Sequence, residues 1–213
     1  MLKLLDLFCG AGGAGMGYSQ AGFDVVGVDI SPQPHYPFEF HQADALEYLS
    51  EHWREFDAIH ASPPCQAYSM AGQQWRASGK EYPDLVSATR QALIKTGKPY
   101  VIENVPGAPL INPTMLNGAL FGMKVRRTRL FETSFNMPLV LLPKEPPLNF
   151  RMGRPVKEGD VITPVGHFSN IPYARRVMGI DWTSGKELTQ AIPPAYTKFI
   201  GKYLYESINQ TGD

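Results

Sequence analysis

Cys65 is one of only two cysteines in this 213-residue chain. It follows Ser62-Pro63-Pro64, and before that the apolar run Phe56-Asp57-Ala58-Ile59-His60-Ala61, which reads as a buried strand. The two prolines stop the strand and stiffen the turn, because each ring fixes its own φ. A thiol held at the end of a strand by a stiff turn is placed to attack an electrophile, provided it can become a thiolate. The plainer reading is a small buried hydrophobe. A second apolar run, Lys98 to Pro106, carries Glu103 near its end. It would bring a carboxyl to the edge that holds Cys65, the edge along which open α/β sheets bind ligands. Arg127 and Arg129 lie two residues apart, so an extended backbone would put both guanidiniums on one face.

The elements that must position these groups follow an alternating strand–helix rhythm. Leu2–Phe8 is a near-continuous apolar run, followed by Cys9-Gly10-Ala11-Gly12-Gly13-Ala14-Gly15-Met16-Gly17. Strand, glycine turn and helix open a doubly wound nucleotide fold, although a glycine turn alone is also just a tight turn. Asp24–Ile30 is the second strand and ends in Asp29, an acid about twenty residues after the glycines, where this fold accepts ribose hydroxyls. Phe38–Ala43 is the third strand and Ala45–Trp53 a helix. Asp44 between them serves as a helix N-cap, a contact to an adenine amino group, or both. The polar stretch Gln66–Pro83 reads as a lid. Leu85–Thr96 is a helix stopped by Gly97. Leu116–Met123 and Thr128–Ser134 read as further strands or strand–turn pieces, Ile171–Met178 as a helix, and about Ala195 to Ile208 as a last helix entered through Pro193-Pro194. Residues 135–172 hold seven prolines and break the rhythm. The expected fold is a Rossmann-like α/β sheet with helices on both faces. Residues 1–134 form the catalytic and cofactor domain, 135–172 a small irregular or β insert, and 173–213 a helical return.

With 43% hydrophobic residues the chain can bury a full core. It has no run long enough to span a bilayer, no signal-peptide core and no disulfide framework, so a reducing cytoplasm and a monomer are expected. None of the five histidines pairs with a cysteine or another histidine at metal spacing, so no metal is expected. Net charge is zero, but unevenly spread. Residues 1–123 carry 7 Lys/Arg against 12 Asp/Glu, and residues 124–213 carry 13 against 8. The basic second half could supply phosphate contacts or be an ordinary solvated surface.

Taken together, the motifs resemble the DNA (cytosine-5) methyltransferase family. Asp6-Leu7-Phe8-Cys9-Gly10-Ala11-Gly12-Gly13 is similar to its cofactor glycine motif, and Ser62-Pro63-Pro64-Cys65-Gln66-Ala67-Tyr68-Ser69 to its catalytic motif. Glu103-Asn104-Val105, Arg127-Thr128-Arg129 and Gln190-Ala191-Ile192-Pro193-Pro194 resemble three more, in the family's order. The chain departs from the pattern in Asp29, usually Glu, in Val125, often Gln, and in Thr189-Gln190, usually Gly-Asn. The region between Arg129 and Gln190 is also shorter than usual, like that of compact phage-type members more than of restriction-modification enzymes. That implies a short target sequence.

The resemblance implies S-adenosylmethionine as cofactor, S-adenosylhomocysteine as product, and cytosine in double-stranded DNA as substrate. It puts Phe8, Cys9, Gly10, Ala11, Gly13, Asp29, Ile30, Asp44, Ala45 and Pro64 around the cofactor, with Cys9 otherwise a structural thiol. Gln190 and Ala191 would close that pocket. Cys65 would be the nucleophile, and Glu103, Arg127 and Arg129 would hold the base, with Arg127 in support or on a phosphate. Gln66, Ser69, Asn104, Arg76 and Lys80 would touch the nucleic acid, Gln66 or Gln73/Gln74 entering the stack once the base is flipped out. RNA cytosine-5 methyltransferases of the same lineage share these motifs. A non-catalytic DNA-binding remnant is the other alternative, against which intact Cys65, Glu103 and Arg129 argue.

Overall fold

The computed structural model describes residues 1–68, 84–149, 155–164 and 169–210. Seven strands form one sheet: β1 Lys3–Leu7, β2 Asp24–Asp29, β3 Glu39–Gln42, β4 Ala58–Ala61, β5 Tyr100–Asn104, β6 Thr114–Leu116 and β7 Arg129–Thr133. Their order is β3-β2-β1-β4-β5-β7-β6. The first five run parallel, and β7 is antiparallel to both β5 and β6. The helices are α1 Gly13–Gln20, α2 Ala45–His52, α3 Leu85–Thr96, α4 Ile171–Met178, α5 Gly185–Gln190 and α6 Pro194–Gln210.

Successive side chains of a strand point to opposite faces, and the core divides accordingly. Leu4, Val25, Ala58 and Val101 pack with Tyr18 of α1 and with Tyr196, Ile200 and Leu204 of α6. Their neighbours Leu5, Val26, Ile59 and Ile102 pack on the other face with Leu49 of α2 and Leu93 of α3. Both faces of the parallel strands are therefore covered, which is why these strands read as unbroken apolar runs. Each fully buried Leu or Ile contributes about 1.5–3 kcal/mol.

The ends of the elements follow from single residues. Asp84 caps α3 by accepting from the Val86 amide, and Gly97 ends it in the left-handed conformation, φ 67°. Two glycines of the opening motif serve packing. A Cβ on Gly13 would lie 2.4 Å from the Ile192 carbonyl oxygen, and one on Gly17 would lie 2.0 Å from Thr197 Oγ1. Without side chains there, α1 sits directly on the segment that starts α6. Thr197 Oγ1 donates to the Ala14 carbonyl at 2.8 Å across the same contact.

The region 116–123 is a strand end followed by a turn, not one extended strand. β6 stops at Leu116, and a 3₁₀ turn, Gly118–Phe121, follows, capped by Asn117, whose side chain accepts from the Leu120 amide. A Cβ on Gly118 would meet the Val125 carbonyl oxygen at 2.1 Å, so only glycine lets the chain double back. The last helix starts at Pro194 and runs to Gln210, longer at both ends than expected. A third apolar cluster joins Val125, Val156 and Ile162 to Tyr173, Met178, Ile180 and Leu188. The insert thus packs on α4 and α5, with a parallel bridge between Val125 and Ile162. Among the described residues no helix is long and apolar enough to cross a membrane.

Candidate active site

A cavity of about 640 Å³ opens along the carboxyl edge of β1, β2, β4 and β5. At one end the glycine turn forms its wall through Phe8, Cys9, Gly10, Ala11 and Gly13. Phe8 holds a left-handed backbone, φ 56°, unusual for a bulky residue and a sign that its surroundings fix it. Asp29 and Ile30 line the same end. The Asp29 carboxylate accepts from the Gly10 amide at 3.0 Å and from the Ser31 amide at 2.9 Å, one bond to each oxygen. Each oxygen keeps a lone pair for a further donor. Gln190 and Ala191 close the cavity from the C-terminal side.

At the other end stand Pro64, Cys65, Gln66, Glu103 and Arg129. Backbone and side-chain bonds hold the Cys65 turn rigid. The Ser62 amide donates to the Leu7 carbonyl at 3.1 Å, tying the turn to β1. Asn104 Nδ2 donates to the Pro63 carbonyl at 2.9 Å, tying it to β5. Burial pushes the Cys65 thiol above its ordinary pKa and nearby Glu103 adds to that, while Arg129 and then Arg127 pull it down.

Glu103 is 5% exposed. Burial raises its pKa, while Arg129, Arg127 and a hydrogen bond from Ser62 lower it. Arg129 Nε lies 2.9 Å from Glu103 Oε1. The contact is an ion pair without hydrogen-bond alignment, so no donor points at the buried Oε1. A carboxyl paired with a guanidinium, beside a thiol on the same wall, can bind a polar ligand, exchange a proton with it and attack it.

Several expected site residues make structural hydrogen bonds. Asp44 caps α2, accepting from the Leu46 and Glu47 amides at 2.9 and 3.1 Å. It does not line the cavity, and Ala45 is buried in the α2 face of the core. Arg127 is 4% exposed and donates to the carbonyls of Pro164 at 3.2 Å and Thr189 at 2.9 Å. A guanidinium held this way clamps the insert to α5. Burial lowers its pKa to about 9. Asn104 is 1% exposed; it donates to the Pro63 carbonyl and accepts from the Val105 amide, which supports the Cys65 turn. Ser69, Gln73, Gln74, Arg76 and Lys80, with most of the expected lid, lie outside the described residues.

Other cavity residues escaped the sequence reading: Ser31, Pro32 and Gln33 after β2, and Ser184, Lys186 and Glu187 at the start of α5. The two groups meet where His35 Nδ1 lies 3.0 Å from Glu187 Oε1. Trp182 Nε1 donates to the Ala11 carbonyl at 2.7 Å, holding the glycine turn from the C-terminal side. The α5 start had a readable signal, since Ser184 and Glu187 form a reciprocal capping box. Trp182 had none.

Residues 2–110, half of the chain, match the family model of C-5 cytosine-specific DNA methylases. The chain belongs to that family. Among curated relatives it is 35% identical over 78 residues to the type II methyltransferase M.FnuDI of Fusobacterium nucleatum, covering 33% of this chain and 23% of that one. It is 33% identical over 121 residues to M1.HphI of Haemophilus parahaemolyticus, covering 49% and 32%. It thus spans only about a quarter to a third of these relatives' lengths. In fold it is similar to an E. coli prophage-encoded protein, described as a candidate DNA modification methyltransferase, with TM-score 0.68 and 15% identity over 98% of this chain and 100% of that one. In this methyltransferase family member, the glycine-turn end of the cavity fits S-adenosylmethionine. An acid at the end of β2 can meet ribose hydroxyls, and Gly10 borders open space with no side chain to block approach.

Proposed function

We propose that the protein transfers a methyl group from S-adenosylmethionine to carbon 5 of cytosine in double-stranded DNA, at a short target, through a transient bond from Cys65 to carbon 6. The observation that carries this reading is the convergence of Cys65, Glu103 and Arg129 on the far end of a cavity whose near end is a nucleotide-type glycine turn with Asp29. The family supplies the reaction class.

Carbon 5 of cytosine is too weak a nucleophile to take a methyl group unaided. Addition of the Cys65 thiolate at carbon 6 turns the ring into an enamine with electron density at carbon 5. Ring nitrogen 3 gains negative charge as sulfur adds. Glu103, whose pKa burial raises, is the group placed to give a proton to that nitrogen. Arg129 steadies the carboxyl and presents its remaining N–H groups to the ring carbonyl. It also favours the thiolate of Cys65. S-adenosylmethionine, when bound, supplies the electrophilic methyl. Loss of the carbon 5 proton then expels Cys65 and restores the aromatic ring. The target atom is buried in a stacked duplex, so the base must first swing out at a cost of about a few kcal/mol.

The test uses duplex DNA carrying 5-fluorocytosine with S-adenosylmethionine. Fluorine cannot leave as a proton does, so the protein should remain attached to the DNA through Cys65. Mapping 5-methylcytosine on unmodified DNA then reads the target. Absence of both adduct and 5-methylcytosine refutes the reading.

A further inference from the structure

Behind Glu103 lies a chain of buried polar side chains that the reaction above does not use. Tyr18 of α1 and His60 of β4 are both fully buried. Tyr18 Oη and His60 Nδ1 are 2.9 Å apart, and His60 Nε2 and Ser62 Oγ are 2.8 Å apart. Ala61 pairs with Ile102 across β4 and β5, so Ser62 and Glu103 follow side by side, and the Ser62 hydroxyl lowers the Glu103 pKa. We propose that Tyr18, His60 and Ser62 form a one-way hydrogen-bond relay that orients the Glu103 carboxyl and tunes its hold on the proton it gives to the base. The proposal rests on the methyl-transfer reading above.

The direction follows from donor accounting. Among the described residues His60 Nδ1 is the partner recorded for the Tyr18 hydroxyl. If Tyr18 accepted from Nδ1–H, its own proton would be buried without an acceptor, an arrangement that costs free energy. Tyr18 therefore donates to Nδ1. Burial keeps the imidazole neutral, pushing its pKa down to about 3, so its single proton sits on Nε2 and goes to Ser62 Oγ. The Ser62 proton is then left for Glu103. Three donors in series polarise one another, so the far tyrosine strengthens the last bond. Tyr18 stays a phenol, because burial raises its pKa and the charges of Asp6 and Glu103 add to that. His60 and Ser62 are positioning residues, since in this arrangement they act on the base through Glu103.

The other titratable or charged groups facing Glu103 are Arg129 and Arg127 at the start of β7, and Cys65 from the turn after β4. Ser62→Ala and Tyr18→Phe leave all three in place. Since the Ser62 bond lowers the Glu103 pKa, its loss raises it, and Glu103 must be protonated to act. The alkaline limb of kcat against pH should shift upward in Ser62→Ala, and in the same direction but less in Tyr18→Phe, with KM for DNA little changed. A merely structural role would lower stability or kcat and leave the limb where it is. Nitrogen-15 NMR of the histidine ring provides an activity-free readout: the His60 proton is expected on Nε2 in the wild type, and that preference should weaken in Tyr18→Phe. A proton on Nδ1, or wild-type pH limbs in both folded variants, overturns the relay. A wild type that makes no 5-methylcytosine at any pH refutes the methyl-transfer reading instead, and the NMR still decides the direction of the relay.

Discussion

Glu103 and Arg129 are diagonal neighbours across the antiparallel pair β5–β7, where Glu103 stands opposite Phe131 and Arg129 lies two residues further along on the same face. Diagonal neighbours are within reach of a long side chain. The guanidinium spans that gap to reach 2.9 Å from the carboxylate, at the carboxyl edge where the Cys65 turn arrives from β4. The antiparallel last strand is thus what delivers a cation to an edge otherwise built from parallel strands.

Removing that cation should damage chemistry and spare the cofactor end. Arg129→Ala is expected to lower kcat/KM for DNA by about a hundred-fold or more, the usual effect of losing one preorganised donor at a reacting group. Affinity for S-adenosylhomocysteine, measured by calorimetry, should stay as it is. Arg129→Lys should recover little, because a lysine cannot offer the same fork of donors.

Asp29 binds two backbone amides with its two oxygens. Asp29→Asn keeps the shape but turns one acceptor into a donor facing an amide N–H. The loss of one hydrogen bond to a charged group, about 1.5–3 kcal/mol, predicts roughly a ten-fold or greater loss of S-adenosylhomocysteine affinity in the same calorimetry.

Asp6 should make stability depend on pH. It is fully buried beneath the glycine turn, its Oδ2 accepts from the Tyr36 hydroxyl at 3.1 Å, and among the described residues its Oδ1 has no hydrogen-bond partner. Burial raises its pKa to about 8. The folded state therefore keeps a proton that the unfolded chain releases near pH 4. Its stabilising contribution is complete below pH 4 and is lost as pH rises toward 8. Asp6→Asn, neutral throughout, should gain on the wild type over that window. Urea unfolding at pH 5 and pH 8 checks this: the gap between variant and wild type should widen at the higher pH.

Glu132 anchors the far side of the sheet. It accepts from Arg90 Nε and Nη2, both at 2.7 Å, and from the Ile111 amide at 2.7 Å, and is itself 3% exposed. Glu132→Ala strands the Arg90 guanidinium and that amide. Breaking a buried pair costs about 3–5 kcal/mol, which urea titration at pH 7 would show as a lower midpoint with an unchanged slope.

The order of elements was legible because short-range chemistry writes it. Gly97 and Gly179 end α3 and α4 where a left-handed residue is needed, so Leu85–Thr96 and Ile171–Met178 were readable to the residue. Unbroken apolar runs marked the strands that are covered on both faces, and the order of Pro-Cys-Gln, Glu-Asn-Val and Arg-x-Arg marked the family. What each polar side chain does was decided by tertiary structure. Arg127 and Arg129 look equivalent along the chain, yet one donates to the carbonyls of Pro164 and Thr189 while the other pairs directly with Glu103. Of the uses open to Asp44 the structure shows the helix cap, and Asn104 donates to the Pro63 carbonyl. Trp182 reaches the glycine turn across 171 residues. Such pairings depend on which strands become neighbours and how closely two helices approach, and no local period in a sequence records either.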